Sequence, residues 1–303
     1  MRIVITGGSG LIGSHLVKQL KKKYKIVLFS RNNPKLAEFK FFDLESFGNQ
    51  DFEKSVSKNL RNIDVILHLA GLSTNPKGIV NGAANNLYKS INTYPTIKFA
   101  QLANKAGVKL FIFMSSAKVN GDFSHKNKPF GPLDKASPSG PYALSKYLAE
   151  EGLRELSKNS KMKTAIIRPP LTLGEGLSGG LKILEKLIKI GAPLPFKNIN
   201  NKRAIISNEN LSEFIIELLN CEERLENFEI LMVANNNPIS SEELIRKIAK
   251  KIKSHVILFP FPKMILKILL FLIGKSNISN SMFKNFEVDI SETTRKINWR
   301  PKD

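Results

Sequence analysis

The chain has a single cysteine, Cys221, among its 303 residues, so no internal disulfide can form and a packing role in a reducing compartment is expected. Acidic residues are scarce: 26 Asp and Glu face 47 Lys and Arg, a formal net charge of +21. That excess attracts phosphates, acidic lipids or nucleic acid. The basic residues are nevertheless scattered and mostly lysine, without a finger, an arginine-rich arm or interleaved aromatic and basic residues for stacking bases, so nucleic acid is not expected as a partner. The run Lys21-Lys22-Lys23 falls at the end of a predicted helix, where positive charge complements the dipole.

No apolar run reaches the roughly 20 residues needed to span a bilayer. The nearest, Met264 to Ile273, contains Lys267 and stops at Gly274. It is expected to be a buried or partner-facing helix rather than an interfacial membrane helix. A glycine-rich run follows Arg2-Ile3-Val4-Ile5-Thr6 where an export signal would carry its apolar core, so the protein is expected in the cytoplasm. No metal is expected.

What is present is an ordinary globular composition, 42% hydrophobic and 24% charged, and enough length for one large α/β domain with a smaller lobe. Short apolar runs at Ile3 to Thr6, Ile26 to Ser30, Val65 to Leu69, Leu110 to Met114 and Thr164 to Arg168 alternate with helical stretches. Near-continuous apolarity marks strands covered on both faces, so the fold class is α/β, a Rossmann-type doubly wound parallel sheet. Residues 1–170 are assigned to the dinucleotide-binding core. Residues 171–303 are assigned mainly to a substrate-binding lobe, with some segments returning to the core. After the Gly/Pro-rich loop Pro169 to Gly180, helices are predicted over Leu181 to Ile190 and Asn210 to Leu219. Another runs over Ser240 to Lys253, opened by a capping box of Ser240 and Glu243 with Ile239 as a hydrophobic staple.

The first strand runs into Thr6-Gly7-Gly8-Ser9-Gly10-Leu11-Ile12-Gly13 and then an amphipathic helix. Gly7 permits a tight turn, Gly10 lets the backbone approach a pyrophosphate, and Gly13 lets the helix pack closely. The amides of the helix start, at Leu11 and Ile12, supply the positive dipole end. Tyr142 and Lys146 lie four apart on one helical face, an arrangement suited to proton transfer if the ammonium lowers the phenol's pKa towards neutrality.

The Gly-x-x-Gly-x-x-Gly spacing, with Tyr142-Ala143-Leu144-Ser145-Lys146, resembles the short-chain dehydrogenase/reductase superfamily over nearly the whole chain. Ser115-Ser116-Ala117-Lys118-Val119-Asn120-Gly121 resembles the Ser-Ser-x-x-Val-Tyr-Gly motif of its extended members, in the epimerase/dehydratase branch. That resemblance implies an NAD(H)- or NADP(H)-dependent oxidoreductase with Ser116, Tyr142 and Lys146 as catalytic residues. Asn120 stands where the family has a tyrosine. Asp43-Leu44 resembles the adenine contact, and His68-Leu69-Ala70-Gly71 the loop after the fourth strand. Asn92 and Thr96 resemble the helix start that supports the nicotinamide side. Arg168-Pro169-Pro170 resembles the segment that brings a proline, here Pro169, to the nicotinamide. The second strand leads into Ser30-Arg31 and offers no carboxylate for a ribose diol, so Arg31 is a candidate for a 2′-phosphate and NADP stays open beside NAD.

For the substrate, the resemblance implies a nucleotide sugar, most simply UDP-linked. Contacts are expected at Ser116, at Lys118, at Gly180 in Ser178-Gly179-Gly180 where relatives carry an asparagine, and at Arg203, which matches a diphosphate-gripping arginine. Pro260-Phe261-Pro262, Val288-Asp289-Ile290-Ser291 and Trp299-Arg300-Pro301 resemble bacterial enzymes of polysaccharide assembly that act at C4 of UDP-N-acetylhexosamines. A 4-ketoreductase is the first expectation and a 4-epimerase its competitor. Ala117 and Lys118 leave no acid beside the serine, which disfavours dehydration. A catalytically idle dinucleotide binder and an enzyme of lipid-linked sugars remain alternatives. The family often pairs through a bundle containing the Tyr-Lys helix, which leaves a homodimer open.

Overall fold

A computed structural model describes residues 1–74, 81–174, 179–272 and 282–302 of the chain. Seven strands form one parallel sheet: β1 (Arg2–Thr6), β2 (Lys25–Ser30), β3 (Glu38–Phe41), β4 (Val65–His68), β5 (Leu110–Met114), β6 (Lys163–Arg168) and β9 (Phe228–Met232). Their order is β3-β2-β1-β4-β5-β6-β9, the Rossmann pattern. The chain leaves β1 for β2 on one side, and β4 lies on the other, so a crevice opens beyond the C-terminal ends of β1 and β4.

The apolar strands explain the layering. Ile3 and Ile5 point to one face and Val4 to the other, and all three are fully buried. Helices α1 (Leu11–Leu20) and α7 (Asn208–Asn220) cover the first face with Leu16, Leu20, Phe214 and Leu218. On the second face, α4 (Tyr94–Lys105) and α5 (Gly140–Ser157) bring Phe99, Ala149 and Leu153 against Phe111, Phe113 and Ile166. Each such side chain removed from water contributes roughly 1.5–3 kcal/mol. Two further helices, α2 (Gln50–Asn59) and α3 (Asn81–Tyr88), complete the connections on this side.

A smaller unit follows β6. It contains a two-stranded parallel sheet of β7 (Leu171–Leu173) and β8 (Ile205–Ser207), with α6 (Gly179–Lys189) and α8 (Ser241–Lys251). Leu184, Ile188, Ile205, Leu244 and Ile248 form its separate core. The capping box at α8 has both arms, Ser240 N to Glu243 at 2.6 Å and Glu243 N to Ser240 Oγ at 3.0 Å. The chain returns to the large core more than once. β9 pairs with β6, and α10 (Ser291–Ile297) leads to Trp299, whose ring lies 5.1 Å from that of Phe214.

In helix α9 (Lys263–Leu272) Met264, Ile265, Ile268, Phe271 and Leu272 are exposed, which overturns the buried half of the expectation of a buried or partner-facing helix and not the partner-facing half. Only Leu266 and Lys267 among its described side chains turn partly inward. Ile273, Gly274 and Ser178 lie outside the described residues. No described helix is long and apolar enough to cross a membrane.

Candidate active site

The turn after β1 is built for close approach. Gly7 has φ +68°, and a Cβ there would lie 2.8 Å from the Ala70 nitrogen. A Cβ on Gly13 would lie 2.2 Å from the Gly7 carbonyl oxygen, so its close packing is against the turn itself. Gly10 N donates to Gly7 O at 3.0 Å, and Gly10 caps α1 with no side chain, leaving the amides of Leu11, Ile12 and Gly13 without a side-chain partner. Gly10 is exposed. A cradle of uncapped amides that a methyl group would fill fits a dinucleotide pyrophosphate.

A buried relay joins this turn to the next strand. Ala70 N donates to Thr6 Oγ1 (3.1 Å), Thr6 Oγ1 meets His68 Nδ1 (2.7 Å), His68 Nε2 meets Thr96 Oγ1 (2.9 Å), and Thr96 Oγ1 donates to Asn92 O (2.7 Å). Because the Thr96 proton is committed to Asn92, Thr96 accepts from Nε2–H, and Nδ1 accepts from Thr6. The ring is therefore the neutral Nε2–H tautomer. Burial, helped by the Lys146 charge, holds its pKa down at about 3.

Asn92 sits in a single π-helical turn, Lys89–Thr93, between α3 and α4. Its Oδ1 accepts from Leu72 N (2.7 Å), while its Nδ2 donates to Leu72 O (2.9 Å) and to Ser145 Oγ (3.0 Å). It thus fastens the loop after β4 to α5. Gly71 has no space for a side chain there: a Cβ would meet Asn92 Oδ1 at 2.9 Å and Lys146 Nζ at 3.3 Å.

Ser116 ends the segment after β5, where its Oγ caps a short turn by accepting from Lys118 N at 3.2 Å. Tyr142, in the first turn of α5, lies close enough to Ser116 for that side chain to act on the phenol's pKa. Burial pushes the phenol up to about 12, with the Ser116 side chain opposing and Tyr88 adding to the rise. This corrects the expectation that Lys146 acidifies Tyr142. The Lys146 ammonium turns to the Met114 carbonyl oxygen (2.9 Å) and to the Phe113 ring (4.6 Å) instead. Burial lowers it to about 8, against the pull of Glu150.

Beneath the serine lies a polar cluster that the sequence reading missed. Arg168 donates to Glu150 through Nε (3.1 Å) and Nη2 (2.5 Å), and through Nη1 to Asn120 Oδ1 (3.0 Å). Ser115 Oγ donates to Glu150, and Asn120 Nδ2 donates to Gly131 O at 3.0 Å. The signal available was the pair of an arginine ending one buried strand and a glutamate on a buried helical face, each needing a partner.

The other expected residues are spread around this centre. Pro169 is buried, and its carbonyl accepts from Ala117 N at 2.9 Å, which ties it to the serine turn. Leu69 and Ala70 border the glycine turn and are partly buried. Asp43 caps the turn Leu44–Ser46 by accepting from Glu45 N at 3.3 Å, and Leu44 is buried. Arg31 and Lys118 are exposed. Gly180 is exposed in the first turn of α6, where a methyl group in place of its hydrogen would meet nothing within 4 Å. Arg203 is held by backbone bonds to Ile239 (2.8 and 2.9 Å), and its Nε and Nη1 are buried without a hydrogen-bond partner. Burial lowers its pKa to about 10. A desolvated guanidinium with unused donors suits a doubly charged anion.

The model of the NAD dependent epimerase/dehydratase family matches residues 3–233. A UDP-glucose 4-epimerase from Vibrio cholerae is 32% identical over 305 residues, spanning 99% of this chain and 90% of that protein. A dTDP-glucose 4,6-dehydratase from Streptomyces venezuelae, solved with NAD bound, superposes with TM-score 0.76 at 18% identity, over 100% of this chain and 92% of that one. A Thermus thermophilus UDP-glucose 4-epimerase in complex with NAD gives TM-score 0.75 at 18% identity, over 100% and 94%. These structural likenesses establish the doubly wound fold.

Proposed function

Since the chain belongs to the NAD-dependent epimerase/dehydratase family and is an NAD(H)-dependent enzyme, we propose that it interconverts the C4 epimers of a UDP-linked sugar. The observation that carries the reading is that the fold brings the Tyr142 phenol and the Ser116 side chain within reach of each other, with the buried Lys146 one turn further along α5 and uncapped amides at the start of α1. The identity with the Vibrio cholerae 4-epimerase across nearly the full chain supports epimerisation. Ala117 and Lys118 beside Ser116 supply no acid to expel water, which favours epimerisation over elimination.

NAD, when bound, supplies hydride uptake and return together with the positive charge of its oxidised ring. The chain's own groups handle the proton. Tyr142 carries the proton exchanged with the sugar O4, and needs a neighbouring cation to bring its phenol down from about 12 into working range. Ser116 offers its hydroxyl to the same oxygen and stabilises charge that develops there. Lys146 supplies a charge fixed by the Met114 carbonyl, and Asn92 holds the loop after β4 and the Tyr-Lys helix at one spacing. Arg203 is assigned to the diphosphate on account of its unpaired buried donors.

A second reading is a 4-ketoreductase of a UDP-N-acetylhexosamine in surface polysaccharide synthesis. Exposed Arg31 favours it, because β2 ends without a carboxylate and Ser30 Oγ is spent on Asn32 O at 2.6 Å, an arrangement that suits a 2′-phosphate and an exchangeable NADPH. Incubation of the purified protein with UDP-glucose and UDP-N-acetylglucosamine, followed by proton NMR of the products, separates the readings. Epimerisation yields the galacto isomer without net cofactor consumption. Consumption of NADPH with a UDP-4-keto sugar identifies the reductase. The Tyr142→Phe variant is expected to lose roughly 10²–10⁴-fold in kcat while still binding NAD. Bound NAD with neither reaction overturns both readings in favour of a non-catalytic binder.

A further inference from the structure

The exposed apolar side chains of α9 fall in one arc. Met264, Ile268 and Phe271 follow i, i+4, i+7 spacing, with Ile265 and Leu272 widening the stripe to about 120° of the helix surface. Helix α6 repeats the register. Ile183, Leu187 and Ile190 are exposed at the same spacing, while Leu184 and Ile188 between them are buried in the small core. In both helices a lysine stands one residue before the first exposed apolar residue and another three after it: Lys182 and Lys186 in α6, Lys263 and Lys267 in α9.

None of these four lysines has an ion pair among the described residues. Helix α9 contains no acidic residue, and Glu185, which α6 contains, is taken by Lys189 at 2.7 Å. Exposed residues such as Ile190 (76%) and Phe271 (71%) are therefore flanked by lysines that have no carboxylate partner among the described residues. A second copy of the chain laid with α9 against α9 would bring lysine against lysine, since α9 carries no acid. A bilayer with acidic headgroups complements both features, since apolar side chains enter the acyl boundary and lysine stems lie along it with their ammonium groups at the phosphates.

We propose that the outer face of α9 docks the protein reversibly on an anionic lipid bilayer, as a surface attachment that uses none of the residues assigned to the catalytic centre. The attachment does not depend on which sugar reaction the enzyme performs. The test is flotation of the full chain with phosphatidylcholine vesicles, with and without phosphatidylglycerol. Wild type is expected to float with the anionic vesicles, to stay behind with the neutral ones, and to be released by salt. Lys263→Gln with Lys267→Gln is expected to weaken partition roughly 30-fold, at roughly fivefold for each lysine. Ile268→Glu with Phe271→Glu is expected to abolish it with an unchanged thermal midpoint, because both side chains already face solvent. Failure of wild type to float, equal flotation on neutral vesicles, or undiminished flotation of both variants overturns the proposal. A wild-type dimer by light scattering that Ile268→Glu with Phe271→Glu converts to monomer, without flotation, assigns the face to a second copy and overturns it equally.

Discussion

Arg168 grips Glu150 at two points, 3.1 and 2.5 Å, with both side chains almost wholly out of solvent. The pair lies under the Ser115-Ser116 turn and consumes the Ser115 hydroxyl, which leaves Ser116 as the hydroxyl of the two that acts on Tyr142. A buried ion pair is weak evidence of net stabilisation, but removing one member strands the other's charge. Arg168→Met is expected to cost about 3–5 kcal/mol of unfolding free energy by urea titration. Adding Glu150→Gln should restore part of the loss; equal stability of single and double variants would show that the pair is not coupled.

The glycine turn makes a contrast between positions possible. Gly13→Ala sets a methyl 2.2 Å from the Gly7 carbonyl oxygen, so the turn must shift. NAD affinity, measured by calorimetry, is expected to fall about tenfold or more, as a loss of about 1.4 kcal/mol or greater implies. Gly82→Ala, in α3 with nothing within 4 Å of the new methyl, is expected to leave NAD binding unchanged and to raise stability by about 0.4–1 kcal/mol.

His68 gives stability an acid dependence. Its pKa, about 3 in the folded chain, is near 6.5 when unfolded, so between those values the unfolded chain binds a proton that the native chain refuses. Stability is therefore expected to fall as pH drops through this window, at up to about 1.4 kcal/mol per pH unit from this ring. His68→Gln should be less stable at pH 7, having lost the two-sided hydrogen bonds, yet show a shallower decline in acid. Parallel slopes for wild type and variant in pH-resolved urea titrations would refute the assignment.

The central strands were readable because residues buried on both faces must be apolar throughout, as in Ile3-Val4-Ile5 and Phe111-Ile112-Phe113. The edge strand β9 breaks that rule. Glu229 lies within it and pairs with Lys296 at 2.5 Å, so Phe228 to Met232 does not announce its place in the sheet. The periodicity of α9 showed that it has an apolar stripe but not which way the stripe faces. Spacing put Tyr142 and Lys146 on one helical face; it carried no information about Met114, whose carbonyl draws the ammonium away. Asn120 read as a lost tyrosine, and only the fold brings Arg168 and Gly131 to its two ends.

The return of the chain to its first core has a consequence for synthesis. Phe214 waits on the face of α7 for Trp299, and Asn210 exchanges two hydrogen bonds of 2.9 Å with Lys302, 92 residues further on. The outer edge of β6 likewise stays bare until β9 has been made. A ribosome must therefore deliver the whole lobe before the first-built half can close, and in that interval the nascent chain presents an open strand edge and an uncovered phenylalanine, the surfaces that chaperones bind.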